Sequence, residues 1–384
     1  RRPGPGSSEP KQTPCEPRLD LAGEEVSTEA GTVLVCTKRY PESYHHGRFS
    51  AADFLRIGPG LAVLAKDERL NSMDLTRALF LDTETTGLSG GTGTLPFLVG
   101  VGRLEPSGAF NVEQYFCREP GEEAAQLTLL SKRLAAASCL VTFNGRAFDM
   151  PLVNTRFILH RMKNPAYGLP HLDLLPVARR VFKKRLDSCR LGNLEASVLG
   201  FERIGDIPGS EIPGVYAAYL RGGPSEPLQA VLEHNALDLV GLAALGWRME
   251  ELYRNPDQVR HGLDGLGLAK AALLAGEKEA ANQHLSRASH TAPKEESAQL
   301  FLLAAREASR RREYAAAKQL LVQAVNKDPA DARIRLALAK HCEHREKEFA
   351  TALEHARLTA GAEGEAQSLH RIARLKRRHA KQPG

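Results

Sequence analysis

The sequence predicts an α/β domain, a mixed sheet flanked by helices, followed by an all-α helical-repeat region. Three observations carry that expectation. Between residues 78 and 143, apolar runs and one helical pattern succeed each other as strand, strand, strand, helix, strand. The first of these strands is apolar and ends in two carboxylates, Asp82 and Glu84. Beyond residue 262 the chain is rich in Ala and Leu and resembles itself at intervals of 36 and 35 positions, 280 to 316 and 314 to 349.

The elements follow in order. Residues 1–30 are rich in Pro, Gly, Ser and Glu and read as a disordered tail. Residues 31–254 read as the α/β domain, opening with β-branched and apolar residues 32–37. His45-His46-Gly47 follows; a doubled His can ligate metal, but with no acid or Cys beside it in sequence it reads as an ordinary loop. Residues 50–65 read as a short helix and a strand. After the Asp82-Thr83-Glu84 strand comes a Gly-rich turn over residues 88–94, which lacks a phosphate-binding loop pattern. Residues 97–104 and 110–116 pair as a hairpin across Pro106-Ser107-Gly108, with Gly100 and Gly102 allowing close approach. Leu127, Leu130 and Leu134 mark a helix over 122–137, and residues 139–143 a central strand.

Further on, Asn144-Gly145 is a turn and a helix runs over 149–162, with Asp149 at its start. A short strand at 171–175 leads into a helix over 176–186 that carries Arg179, Arg180, Lys183, Lys184 and Arg185. That basic helix either holds nucleic-acid phosphates beside the carboxylates or is a solvated face. Helices are expected at 191–199 and 228–253, with a proline-punctuated loop at 206–214. Residues 255–263 read as a linker. Residues 262–379 read as about three helix pairs of the tetratricopeptide type with a basic final helix, whose concave face commonly binds a protein partner.

Composition bounds the class. The 384 residues allow two or three domains, and 42% hydrophobic content supports packed cores. With 52 Lys and Arg against 46 Asp and Glu, the net charge of +6 favours an anionic partner such as nucleic acid. The six cysteines form no C-x-x-C pair, which argues against a disulfide framework or cysteine zinc site and fits a cytoplasmic protein. No apolar run reaches the ~18–20 residues of a membrane helix, and the first residues show no apolar signal core.

The chemistry is concentrated in acids. In a strand, side chains two apart share a face, so Asp82 and Glu84 project together. Two such carboxylates repel unless a cation lies between them, and hard ions such as Mg²⁺ or Mn²⁺ suit them. A solvated strand end is the simpler alternative. Asp149 can serve as a helix-capping acid, as a third carboxylate facing that pair, or as both. His234 and Asp238, four apart on a helix, share one face. Their conjunction in order is far more specific than any one of them.

The residues from Phe80 to Leu88 with Gly90-Gly91-Thr92-Gly93-Thr94, Phe143-Asn144-Gly145 with Phe148-Asp149, His171-Leu172-Asp173-Leu174, Leu199-Gly200 with Asp206-Ile207-Pro208-Gly209, and His234-Asn235 with Asp238 resemble the DEDD exonuclease group of the ribonuclease-H-like superfamily. More narrowly they are similar to the YprB-type ribonuclease-H-like proteins. The resemblance covers residues 40–253 and implies a ribonuclease-H-like fold. It also implies two divalent ions held by Asp82, Glu84, Asp149 and Asp238, and 3′→5′ exonuclease activity on DNA or RNA. His234 occupies a position at which the tyrosine subgroup of that superfamily carries Tyr, and a neutral imidazole there can act as general base. Asp173 is an additional acid near the site by motif order. The rival expectations are a structure-selective endonuclease on the same fold, and a nucleic-acid-binding or scaffold protein acting through its repeats.

Overall fold

The computed structural model describes residues 21–56, 58–87 and 93–381. Most of the N-terminal tail and of the Gly-rich turn therefore lies outside the described residues. Among the described residues the sheet has seven strands: β1 (Glu24–Thr28), β2 (Gly31–Tyr40), β5 (Ala78–Thr85), β6 (Pro96–Leu104), β7 (Phe110–Phe116), β8 (Cys139–Thr142) and β9 (His171–Asp173). A separate two-residue hairpin, β3 (His45–His46) and β4 (Phe49–Ser50), stands apart from it. The main order is β1-β2-β7-β6-β5-β8-β9. β5, β8 and β9 run parallel, and every other pairing is antiparallel. The expected mixed sheet flanked by helices is thus present.

The central strands are continuously apolar because both faces are covered. Leu79 and Leu81 face the helices Glu123–Ala136 and Asp149–Leu159, in a cluster with Leu127, Leu130 and Phe157. Ala78 and Phe80 face the other way, toward the helices Leu174–Phe182 and Glu226–Arg254. Strand periodicity therefore places Asp82 and Glu84 on the face of the 29-residue helix Glu226–Arg254, and Thr83 on the opposite face. Gly100 makes the long helix's approach possible. A β-carbon there would lie 2.1 Å from Asn235 Oδ1.

Four details depart from the sequence reading. Residues 24–28 are an edge strand rather than tail; backbone pairing to β2 and one inward apolar residue, Val26, suffice for an edge. The turn before β2 uses Gly31 at φ +121°. Within 50–65, the expected strand is the helix Gly60–Ala65, because the Glu250 carboxylate, buried and distant in sequence, accepts from the Gly60 and Leu61 amides at 3.2 and 2.7 Å. His46 is not a plain loop residue: it is fully buried and its acid partner, Glu195, arrives from 149 positions away. The linker is short, and the helix Gly262–Ala275 packs directly on the basic helix. A β-carbon at Gly267 would lie 2.7 Å from the carbonyls of Arg180 and Val181.

The C-terminal region is built of helix pairs. Second helices begin at Lys278, Tyr314 and Phe349, hence 36 and 35 residues apart, matching the intervals in the sequence. The final helix Glu365–His379 turns its Arg371 and Arg374 inward, onto the buried Glu343. Among the described residues no helix is long and apolar enough to cross a membrane.

Candidate active site

The parallel arrangement of β5 and β8 brings their C-terminal ends together, and the site forms there. Asp82 and Glu84 lie half-buried at the end of β5, opposite Gly100 and Leu98 of β6. After β8 the chain turns sharply through Asn144, at φ 65°. A β-carbon on Gly145 would sit 2.5 Å from Thr142 Oγ1, so only Gly fits beside it. The turn delivers Asp149 to the start of its helix as the first helical residue; the preceding cap position, Phe148, makes no side-chain bond. Thr83 Oγ1 donates to Asp149 Oδ1 at 2.6 Å. Thr83 thus links the acid arriving on one face of the sheet to the strand carrying the other two.

The long helix supplies the remaining groups. Asn235 is buried; its Nδ2 donates to Asp82 Oδ2 at 2.8 Å, and its Oδ1 accepts from Gln114 Nε2 at 2.9 Å. His234 Nδ1 lies 2.8 Å from Asp206 Oδ1. A carboxylate only accepts, so Nδ1 carries the proton, and Nε2 is left facing the acids, 3.9 Å from both Glu84 Oε1 and Asp238 Oδ2. Asp238 Oδ1 lies 2.5 Å from Arg203 Nη2.

Arg203 is the hinge of a second network. Its Nε and Nη2 donate to the two oxygens of Glu195 at 2.7 and 3.0 Å, and its Nη1 lies 3.3 Å from Asp206 Oδ2. Glu195, fully buried, also meets His46 Nε2 at 2.9 Å, and the His46 ring stacks on Phe201 with centroids 3.9 Å apart. Gly241 of the long helix leaves room for Glu195; a β-carbon there would lie 2.3 Å from its Oε1. The carboxyl of Glu195 stays below its ordinary range: burial opposes ionisation, but the bonds from His46 and Arg203 outweigh it.

The electrostatics of the acids run the other way. Burial raises Asp82 well above the ordinary carboxylate range, and the charges of Asp238, Glu84 and Asp149 add to it. Burial and the charges of Asp238, Asp149 and Asp206 do the same to Glu84. Asp149 is raised to about 6, chiefly by burial, against the opposing Thr83 bond. Asp238 is also raised by burial, against the opposing charge and bond of Arg203. Among the described residues no three acid, His or Cys side chains already form a closed cation cage. Protein donors stand on several of the oxygens instead: Asn235 on Asp82, Thr83 on Asp149 and Arg203 on Asp238. The donor chemistry still fits a hard divalent ion, since the acids are oxygen ligands that mutually oppose one another's ionisation.

The structure therefore brings together the five residues singled out from the sequence: Asp82, Glu84, Asp149, His234 and Asp238. Asp173 has a supporting place. It accepts from the Asn144 and Arg146 amides at 2.8 and 3.1 Å and from Leu175 N at 3.2 Å, pinning the loop that carries Asp149. The basic helix starts at Asp173, and at 1.5 Å per residue Lys183 lies about 15 Å along it from there. Arg203, Glu195, Asn235 and Thr83 escaped the sequence reading. Arg203, Glu195 and Thr83 carry no motif spacing; Asn235 was in view beside His234, and its place opposite Gly100 was the available signal.

Comparison with known proteins agrees with this geometry. A family model described as RNase_H superfamily matches residues 79–249, the stretch from β5 to the end of the long helix. An uncharacterized protein of Bacillus subtilis (strain 168), YprB, is 32% identical over 364 residues, covering 90% of this chain and 86% of the relative. The chain thus belongs to the YprB family and carries an RNase H-like domain between the edge strands at its N-terminal side and the helical region that follows.

Proposed function

We propose that this chain is a metal-dependent nuclease that hydrolyses phosphodiester bonds of nucleic acid, acting as a 3′→5′ exonuclease. The observation that carries the reading is the convergence of Asp82, Glu84, Asp149 and Asp238 from three separate elements, with each acid held above its ordinary pKa range. Such an arrangement is costly for stability alone and is characteristic of sites built for charge they do not themselves supply. These four acids would hold two Mg²⁺ or Mn²⁺ ions. When bound, such ions supply an activated water and charge stabilisation for the leaving oxygen.

The chain's own residues have distinct tasks in this reading. Asp206 fixes the His234 tautomer, so that Nε2 accepts a proton from a water on the acid side. Arg203 orients Asp238 from behind, and Asn235 orients Asp82. The helix pairs after residue 262 are read as tetratricopeptide-like and as a place for a protein partner.

The test is a panel of end-labelled DNA and RNA strands, with and without Mg²⁺ and Mn²⁺, including 3′-blocked and circular forms. Metal-dependent shortening from free 3′ ends is expected. Cleavage of circles indicates an endonuclease, and no cleavage of any member removes the nuclease reading in favour of a scaffold.

A second measurement reads the acids without catalysis. A carboxyl with a raised folded pKa keeps a proton that the unfolded chain releases near pH 4, so stability falls as pH rises through about 4 to 6 and beyond. In EDTA the melting temperature is expected to be lower at pH 8 than at pH 6. Mg²⁺ or Mn²⁺ at pH 8 should raise it by several degrees, through ligand-linked stabilisation. A melting temperature indifferent to either ion argues against the metal site.

A further inference from the structure

Six cations from three elements converge on one groove, of about 480 Å³, at the junction of the α/β domain and the helical region. Lys66 follows the helix Gly60–Ala65. Arg179, Arg180, Lys183 and Lys184 come from the basic helix and its end, and Lys270 from the helix Gly262–Ala275. The floor between them is apolar, formed by Leu266, Leu274 and Leu303. The one acid in the lining, Glu296, is engaged by Lys184, while Arg180 Nη1 donates to the Leu64 carbonyl. Among the described residues, Lys66, Arg179, Lys183 and Lys270 have no ion-pair partner.

A solvated basic face would spread its charges over a convex surface. Here they line one concavity, and Lys270 and Lys184 lie close enough to repel. Burial and the charge of Lys270 push the Lys184 ammonium below its ordinary range. Burial and the charge of Arg146 do the same to Arg180. Arg146 stands in the loop that delivers Asp149, so positive charge continues from the acid site toward the groove.

We propose that this groove binds the sugar-phosphate backbone of a single nucleic-acid strand at a site separate from the carboxylates, with the helical region supplying one wall. Phosphates meet the cationic rims, and the less polar sugar and base surfaces lie on the apolar floor. The choice of ligand class rests on the nuclease reading; the groove itself does not. The arrangement gives the enzyme a hold on the strand at a distance from the scissile bond. The helix Gly262–Ala275 becomes part of substrate binding rather than only a platform for a protein partner.

The experiment uses the full chain in EDTA, so that binding is read without cleavage. Fluorescence anisotropy of labelled 30-residue oligo-dT and oligo-U is followed across KCl concentration, with a melting curve for each protein. Single strands contribute about 0.7 to the slope of log K against log salt for each neutralised phosphate. The triple variant Arg179→Gln, Lys183→Gln, Lys270→Gln is expected to lower that slope by about 2 and weaken binding at least about tenfold, without lowering the melting temperature. Lys270→Gln alone is expected to lower the slope by about 0.7.

An unchanged slope and affinity in the triple variant overturns the groove, and an effect confined to Arg179 and Lys183 overturns its shared character. Competition by oligoglutamate as effective as by oligonucleotide overturns the nucleic-acid assignment. A wild type that cleaves strands but binds them independently of these cations refutes the groove alone. One that binds through them and cleaves nothing refutes the nuclease reading alone.

Discussion

Asp82→Asn is expected to lower metal-dependent strand cleavage by at least about a thousandfold while raising the melting temperature in EDTA. Both halves follow from one carboxylate. Asp82 is strongly opposed to ionisation, by burial first and then by the charges of Asp238, Glu84 and Asp149. On the proposed metal-dependent mechanism, removing its charge removes a ligand for the divalent ions, and losing one preorganised electrostatic element of a site commonly costs about 10²–10³ in rate or more, on the order seen for single oxyanion donors. The Asn carbonyl still accepts from Asn235 Nδ2, now 2.8 Å from Asp82 Oδ2, so the local packing is kept. Relief of repulsion then stabilises the fold, by about 1 kcal/mol or more. Cleavage within tenfold of wild type would remove Asp82 from the chemistry. Lost cleavage with a lowered melting temperature would point to structural damage instead.

Glu195→Ala is expected to be among the most destabilising single substitutions in the chain. Glu195 is fully buried and takes three bonds, two from Arg203 and one from His46. Breaking a buried ion pair by removing one partner costs about 3–5 kcal/mol, and the lower end applies here because Arg203 keeps Asp238 and Asp206. At about 2–4 °C per kcal/mol for domains of this size, the melting temperature should fall by roughly 10 °C. Asp238 should also loosen, since Arg203 is held against it by Glu195. The contribution of Glu195 has a definite pH window. Its folded pKa is depressed, so its stabilisation is complete above the unfolded glutamate pKa, about 4.3, and is lost as pH falls through the lower folded value. A melting temperature within about 2 °C of wild type at pH 7 would show that the pair contributes nothing net.

Much of this was legible in the sequence because it is local. The strand ending in Asp82 and Glu84, the hairpin across Pro106-Ser107-Gly108 and the helix carrying His234 and Asp238 each declare themselves by period or turn chemistry. Gly100 announced a close approach, and Asn235 is what approaches. What was hidden is long-range. His46 had no acid near it in sequence, yet Glu195 reaches it across 149 positions. The helix at Gly60 exists because Glu250 caps it from 190 positions away, and apolar residues alone read equally well as a strand. The basic helix was legible as an element, but composition does not say what its cations face.

The long helix Glu226–Arg254 reaches beyond the chemistry it carries. At 1.5 Å per residue it is about 43 Å long. His234, Asn235 and Asp238 lie in its first half. Toward its far end Glu250 caps the helix at Gly60, and the Tyr253 carbonyl accepts from the buried His284 Nε2 of the helical region. The same rod therefore carries the candidate site groups in its first half and has the first helix pair seated on its far end. Load applied at the seat is carried to the acids without a joint between them. One apolar cluster runs across the boundary near residue 255, so severing it would strip apolar cover from both sides, and the two regions are expected to melt as one cooperative unit.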